Sequence, residues 1–255
     1  MKICLLQTDI TWQDAATNIA AAERLIRQAP TAHLYVLPEM WATGFCMNPT
    51  PETFRAAEQA LAWMKTFSGS HGFTLMGSLP WMETGESRPT NRFFVVNQGS
   101  VTATYDKRHL FGYGGENACY KAGSARTIVE IGGLRVLILT CYDLRFPVFS
   151  RNFAAAYDLL VYVANWPESR QEAWQTLLRA RAIENQCFVC GVNRTGNDPV
   201  CHYAGGSMLV DAYGKILAVL DNQAQAVTVT LDTERLGRFR EKFPVLHDAD
   251  AFTLL

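Results

Sequence analysis

A mixed α/β fold with a thick core is what this 255-residue sequence predicts, on three observations. Short apolar runs ending in polar residues alternate with Ala-rich segments of helical period, the pattern of strands packed under helices. A three-strand meander and a late hairpin interrupt that alternation, and both need antiparallel pairs, so the sheets are mixed. The composition, 49% hydrophobic and 18% charged, supplies a core large enough to need no staple.

The elements follow in order. Residues 3–8 form a short apolar run, read as a core strand. Residues 12–29 put Ile19, Ala22, Leu25 and Ile26 at helical spacing and stop before Pro30. Residues 33–37 are a second buried strand. Residues 51–67 read as a helix, with Pro51 near its start and Gly69 after its end. Residues 73–79, 92–97 and 101–105 read as the meander, turning at Asn97-Gln98-Gly99. Residues 111–123 are Gly-rich and irregular. Residues 136–142 carry no charge and read as a fully buried strand with Cys141 at its end, and Asp143 is placed to cap the turn beyond. Residues 149–157 read as a helix, 159–164 as a strand, 168–186 as the longest helix and 187–192 as a strand. Residues 207–220 form a hairpin turning at Tyr213-Gly214-Lys215, and 226–231 a final strand. No linker, repeat or low-complexity segment divides the chain, so residues 1–255 are read as a single domain.

The totals narrow the function. With 23 basic and 24 acidic residues, electrostatics offers nothing to nucleic acid or to an anionic membrane. No apolar run approaches the ~18 residues of a membrane span, and the N-terminal run is too short for a signal peptide. Seven cysteines, an odd number set mostly in apolar runs, argue against disulfides and for a reducing, cytoplasmic setting.

Glu39, Lys107 and Cys141 share a position: each stands at or just past the C-terminal end of an apolar strand, where α/β sheets build ligand sites. Each also has a plain reading, as a solvated Glu after Pro38, a surface Lys paired with Asp106, and a buried core Cys. The segments L-P-E-M-W-A-T-G-F (37–45), Y-D-K-R-H-L-F (105–111) and C-Y-D-L-R-F-P (141–147) stand in this order. Together with N-W-P (165–167) and R-A-R-A-I-E-N-Q (179–186), they resemble the signatures of the nitrilase superfamily of carbon–nitrogen hydrolases.

That resemblance implies a four-layer α-β-β-α sandwich with mixed sheets. It implies Cys141 as nucleophile, Glu39 as general base and acid, and Lys107 with the backbone N–H of Tyr142 as oxyanion donors. Glu116, seven residues before Gly123, matches a second Glu that positions the substrate amide beside Lys107. No metal or cofactor is implied, and a homodimer is, with residues 149–157 and 168–186 at the interface. The chemistry is coherent: a thiol attacks an amide carbonyl once a base takes its proton, and the same base protonates the leaving ammonia. A cationic Lys107 would also favour the thiolate.

The segment P-E-M-W-A-T-G-F and the chain length most resemble the ω-amidase group, which acts on ω-amides such as 2-oxoglutaramate and succinamate. N-carbamoyl compounds or nitriles are the alternative substrates for the same triad. A non-catalytic binding module and a redox protein using Cys187 and Cys190 are rivals of other classes. Trp41, Phe45 and Trp166 are expected on the pocket wall. Arg145 is expected either to anchor a substrate carboxylate or to pair with Asp143, and Arg194 to face the pocket. His109, two residues past Lys107, offers a rival base for Cys141 if it faces the same side.

Overall fold

The computed structural model describes residues 1–253. The first half of the chain contains β1 (Lys2–Gln7), α1 (Ala15–Gln28), β2 (Leu34–Val36), α2 (Pro51–His71), β3 (Thr74–Trp81), β4 (Thr90–Asn97) and β5 (Ser100–Asp106). After the Gly-rich loop come α3 (Glu116–Cys119), β6 (Thr127–Ile131), β7 (Leu134–Thr140), β8 (Leu159–Ala164), α4 (Gln171–Glu184) and β9 (Phe188–Asn193). The chain ends with β10 (Thr195–Asn197), β11 (His202–Ala204), β12 (Met208–Val210), β13 (Ile216–Val219), β14 (Gln225–Thr230) and α5 (Thr233–Lys242).

Two six-stranded sheets result, in the orders β14-β1-β2-β3-β4-β5 and β13-β12-β9-β8-β7-β6. Both have a parallel centre with antiparallel flanks: β1, β2 and β3 run parallel in one, β7, β8 and β9 in the other. Parallel strands covered on both faces are apolar throughout, and β8 (L-L-V-Y-V-A) is buried at every position. Each such Leu or Val contributes roughly 1.5–3 kcal/mol by leaving water.

Alternation along the strands assigns the layers. Ile3, Leu5, Val36 and Phe93 point from the first sheet into one core shared with Val136, Ile138 and Val161 of the second. Cys4, Leu6, Tyr35 and Leu75 point the other way, onto Ala22 and Ile26 of α1 and Ala57, Leu61 and Met64 of α2. Trp174, Leu178 and Ala182 of α4 cover the second sheet. The layers are helix, sheet, sheet, helix, as expected.

Three expectations about elements need correction. α2 runs four residues past position 67 and ends on Gly72, in the left-handed region at φ 71. Gly69 lies inside the helix, where a Cβ would stand 3.2 Å from Gly99 Cα in the β4–β5 turn. Residues 149–157 do not form a helix; only a short 3-10 turn, Phe153–Ala155, occurs there. The Asn152 amide bonds both the N–H and the C=O of Tyr157 and also the Asn185 carbonyl, giving the backbone partners that compete with a helix. β6 and α5 were not foreseen, because β6 alternates half-exposed residues and α5 buries only Leu236.

Candidate active site

The catalytic candidates stand where strands run out of ladder partners. β2 stops at Val36, and Leu37-Pro38 leads to Glu39; β5 stops at Asp106, one residue before Lys107. β7 stops at Thr140, and Cys141 turns into a short 3-10 helix with φ +46. A side chain with Cβ is strained in that region, and such a corner persists only where its surroundings over-determine it. Glu116 opens α3, set beside Lys107 by Gly123. The Gly123 N–H donates to the Lys107 carbonyl at 2.9 Å, and a Cβ there would lie 2.1 Å from the Asp106 carbonyl oxygen.

Glu39, Lys107 and Glu116 are completely buried together. Lys107 Nζ donates to Glu39 Oε1 at 2.9 Å and to Glu116 Oε1 and Oε2 at 3.1 and 2.8 Å. Two residues not singled out from the sequence complete the floor. Asn91 Nδ2 donates to Glu39 Oε1 at 2.7 Å and to Glu116 Oε1 at 3.1 Å, its own Oδ1 fixed by the Ser78 hydroxyl. Asn165 donates its backbone N–H to Glu39 Oε2 at 2.8 Å and its side-chain amide to the Glu39 carbonyl at 2.7 Å. The Cys141 thiol lies 3.9 Å from the Asn165 carbonyl. Asn91 shares the inward face of β4 with Phe93, two residues on, and a polar residue on such a face is the signal that would have found it.

The electrostatics assigns protons. Burial alone would lower the Lys107 pKa, but Glu116 and Glu39 outweigh it and hold the ammonium well above its ordinary value. Burial raises the Glu116 pKa, Glu39 adds to the rise and Lys107 opposes it. The Cys141 thiol is held well above its ordinary pKa, first by burial and then by Glu39 and Glu116. Lys107 does pull it down, as anticipated, but does not prevail, so the resting group is a thiol that needs a base.

Cys141 and Asn165 carry this floor to a cavity of about 300 Å³, which they line, while Glu39, Lys107, Glu116 and Asn91 lie buried behind them. Phe45, Cys141, Tyr142, Arg145 and Trp166 line it as expected, and Arg170 joins them unforeseen. The Arg145 guanidinium lies 5.1 Å from the Trp166 ring and that of Arg170 lies 5.3 Å from the Phe111 ring. Asp143 does not pair with Arg145, because its oxygens are taken by Tyr105, Thr140 and His109. The remaining assignments change. Trp41 packs in the outer core beside Trp63, away from the cavity. Arg194 is fully buried and spends its guanidinium on the carbonyls of Ile10, Thr195 and Asn197, so it does not face the cavity. His109 bonds Asp143 through Nδ1 at 2.8 Å and lines a different cleft, so it is not placed as a base for Cys141. Cys187 and Cys190 are both completely buried in the core.

This geometry agrees with what the chain resembles. The carbon–nitrogen hydrolase family model matches residues 2–241. The omega-amidase YafV of Escherichia coli is 44% identical over 256 residues, covering 100% of this chain and 98% of that one. The 2-oxoglutaramate amidase of Bacillus subtilis is 32% identical, covering 96% of each. A CN-hydrolase superfamily protein from Xanthomonas campestris, solved with an arsenic adduct in its active site, superposes with a TM-score of 0.92 at 39% identity. That alignment covers 100% of this chain and 99% of the other. The chain therefore belongs to the carbon–nitrogen hydrolase family, within the nitrilase superfamily, and is a hydrolase of non-peptide C–N bonds.

Proposed function

We propose that the chain is an ω-amidase that hydrolyses the terminal amide of small dicarboxylic acid monoamides, 2-oxoglutaramate and succinamate among them. The observation that carries the reaction is a single buried cluster: a thiol at a strained turn, a carboxylate beside it, and an ammonium fixed between two carboxylates. Glu39 takes the thiol proton as Cys141 Sγ attacks the amide carbon, then gives that proton to the departing nitrogen. Ammonia leaves and a thioester remains. Glu39 next takes a proton from water, which attacks the thioester carbon, and Cys141 leaves with the proton as a thiol. In both steps the carbonyl oxygen gains charge beside Lys107 and the Tyr142 backbone N–H. A glutamate-to-glutamine mutant of the amidase from Nesterenkonia sp. AN1, 25% identical with a TM-score of 0.82, shows the result of Michael addition of acrylamide at its active-site cysteine, which supports Cys141 as nucleophile.

The relatives named for ω-amides support the substrate class, and the wall of the cavity supplies a reason. Neither Arg145 nor Arg170 makes a side-chain hydrogen bond or ion pair among the described residues, and both lean on aromatic rings. Unpaired guanidinium groups at a cavity wall suit a free carboxylate at the far end of the substrate. Ammonia release from succinamate and 2-oxoglutaramate, set against N-carbamoyl amino acids and simple nitriles, tests the assignment. Turnover of the carbamoyl compounds or nitriles alone would replace it.

The same proposal includes a homodimer. Val148, Phe153 and Ile183 are 50%, 47% and 52% exposed. They lie on two segments tied together by the Arg151 guanidinium on the Glu184 carbonyl. A monomer in sedimentation at micromolar concentration would remove this part.

A further inference from the structure

One carboxylate ties together the two chain segments that carry Lys107 and Cys141. Asp143, fully buried and two residues past Cys141, accepts four hydrogen bonds. Its Oδ2 takes the Thr140 backbone N–H at 2.9 Å and the Tyr105 hydroxyl at 2.7 Å. Its Oδ1 takes the His109 backbone N–H at 3.0 Å and ring Nδ1 at 2.8 Å, a contact that places the ring proton on Nδ1. The Tyr105 oxygen in turn accepts the Arg108 N–H at 2.9 Å. The residues two before and two after Lys107 thus end on the same carboxylate as the residue just before Cys141. β5 and β7 lie in different sheets, and no ladder hydrogen bond joins those sheets.

We propose that Asp143 is a positioning residue, which clamps the Lys107 segment to the Cys141 turn so that ammonium and thiol address one carbonyl. This rests on the triad reading above. A carboxylate is required because each oxygen meets two donors. An asparagine amide, whichever way it is turned, would point its NH₂ at one of those donor pairs. His109, which in the sequence looked like a rival base, is one strut of the clamp, its ring stacked 3.8 Å from that of Phe146.

The test compares Asp143→Asn, Tyr105→Phe and the double variant in succinamate turnover, per folded protein counted by near-UV circular dichroism. Asp143→Asn is expected to lower kcat about 100-fold with KM little changed, the size of loss that misplacing a reacting group brings. Tyr105→Phe removes one of the four bonds and should cost several-fold. Because its effect passes through Asp143, the double variant should fall no further than Asp143→Asn. An unchanged kcat in Asp143→Asn, losses that multiply, or a rise in KM alone would each overturn the clamp. If Asp143→Asn does not fold, Tyr105→Phe and His109→Gln must each lower kcat at constant KM, or the proposal fails. Cys141→Ala serves as the separate control: activity surviving there would sink the triad reading. A dead Cys141→Ala beside a fully active Asp143→Asn would sink the clamp alone.

Discussion

In the floor buried behind the cavity Lys107 directs its hydrogen bonds to two carboxylates, whereas on the cavity wall Arg145 and Arg170 rest on aromatic rings and bond no described residue. Both regions concentrate charge, but on opposite terms. Groups removed from water must be saturated by the protein, and the floor is: Asn91, Asn165 and the Phe111 N–H fill the remaining sites on the carboxylates. Groups that stay hydrated can exchange water for a ligand. The difference locates two properties separately. On the proposed ω-amidase reading, the floor would carry out the reaction and the wall would select the acid that is presented to it.

Substitutions on the floor should therefore break catalysis whatever the substrate. Cys141→Ala removes the proposed nucleophile and should lower ammonia release from every amide by roughly 10⁴-fold or more, the scale seen when a covalent catalyst is deleted. Lys107→Met removes one proposed oxyanion donor, a loss worth about 10²–10³ in kcat. It also leaves Glu39 and Glu116 without their cation, and breaking a buried pair costs ~3–5 kcal/mol. Chemical denaturation should report that loss alongside the kinetics. A Lys107→Met protein as stable and active as the parent would show that the floor is not a charged cluster at all.

The wall should respond differently. Arg145→Ala and Arg170→Ala should each raise KM for succinamate about tenfold at nearly constant kcat, the loss expected of uniform binding energy. Butyramide, which lacks the distal carboxylate, should be insensitive to both changes. Equal effects on the two amides would deny the wall its selective role.

The same contrast explains what could be read from residues alone. Glu39, Lys107 and Cys141 were legible because each stands at or just past the end of an apolar run inside a segment that resembles a nitrilase-superfamily signature, and Glu116 only through that resemblance, by its interval to Gly123. Asn91 and Asn165 were not, since a single Asn in a strand or before a Trp does not announce which carboxylate it will meet. Arginines were the hardest to place. Arg194 follows the strand β9 as Arg145 follows the turn at Cys141, yet loop closure buries the first against carbonyls and leaves the second on the cavity. The missing helix at residues 149–157 has the same origin, because the competing partners of Asn152 come from Tyr157 and from Asn185, 33 residues away.

The smallest effect concerns the proton on Cys141. Its pKa is raised above the ordinary 9.0 in the folded chain, by burial first and by Glu39 and Glu116 next. The folded protein therefore keeps the thiol proton over a range of pH where the unfolded chain has lost it. Stability from this group is complete below pH 9 and is lost as pH rises from there towards the folded pKa. Cys141→Ser, which has no group titrating in that range, lacks the term. The stability of the parent minus that of Cys141→Ser should be flat below pH 9 and fall by up to ~1.4 kcal/mol per pH unit above it. The core thiol of Cys190, also raised by burial but with no carboxylate or ammonium beside it, should behave alike in a Cys190→Ser comparison. The two then separate in Lys107→Met, where losing the ammonium raises the Cys141 pKa further and carries its slope to higher pH, while the Cys190 slope stays where it was. A Cys141 slope that ignores Lys107 would mean that the ammonium and the thiol do not share the floor electrostatically.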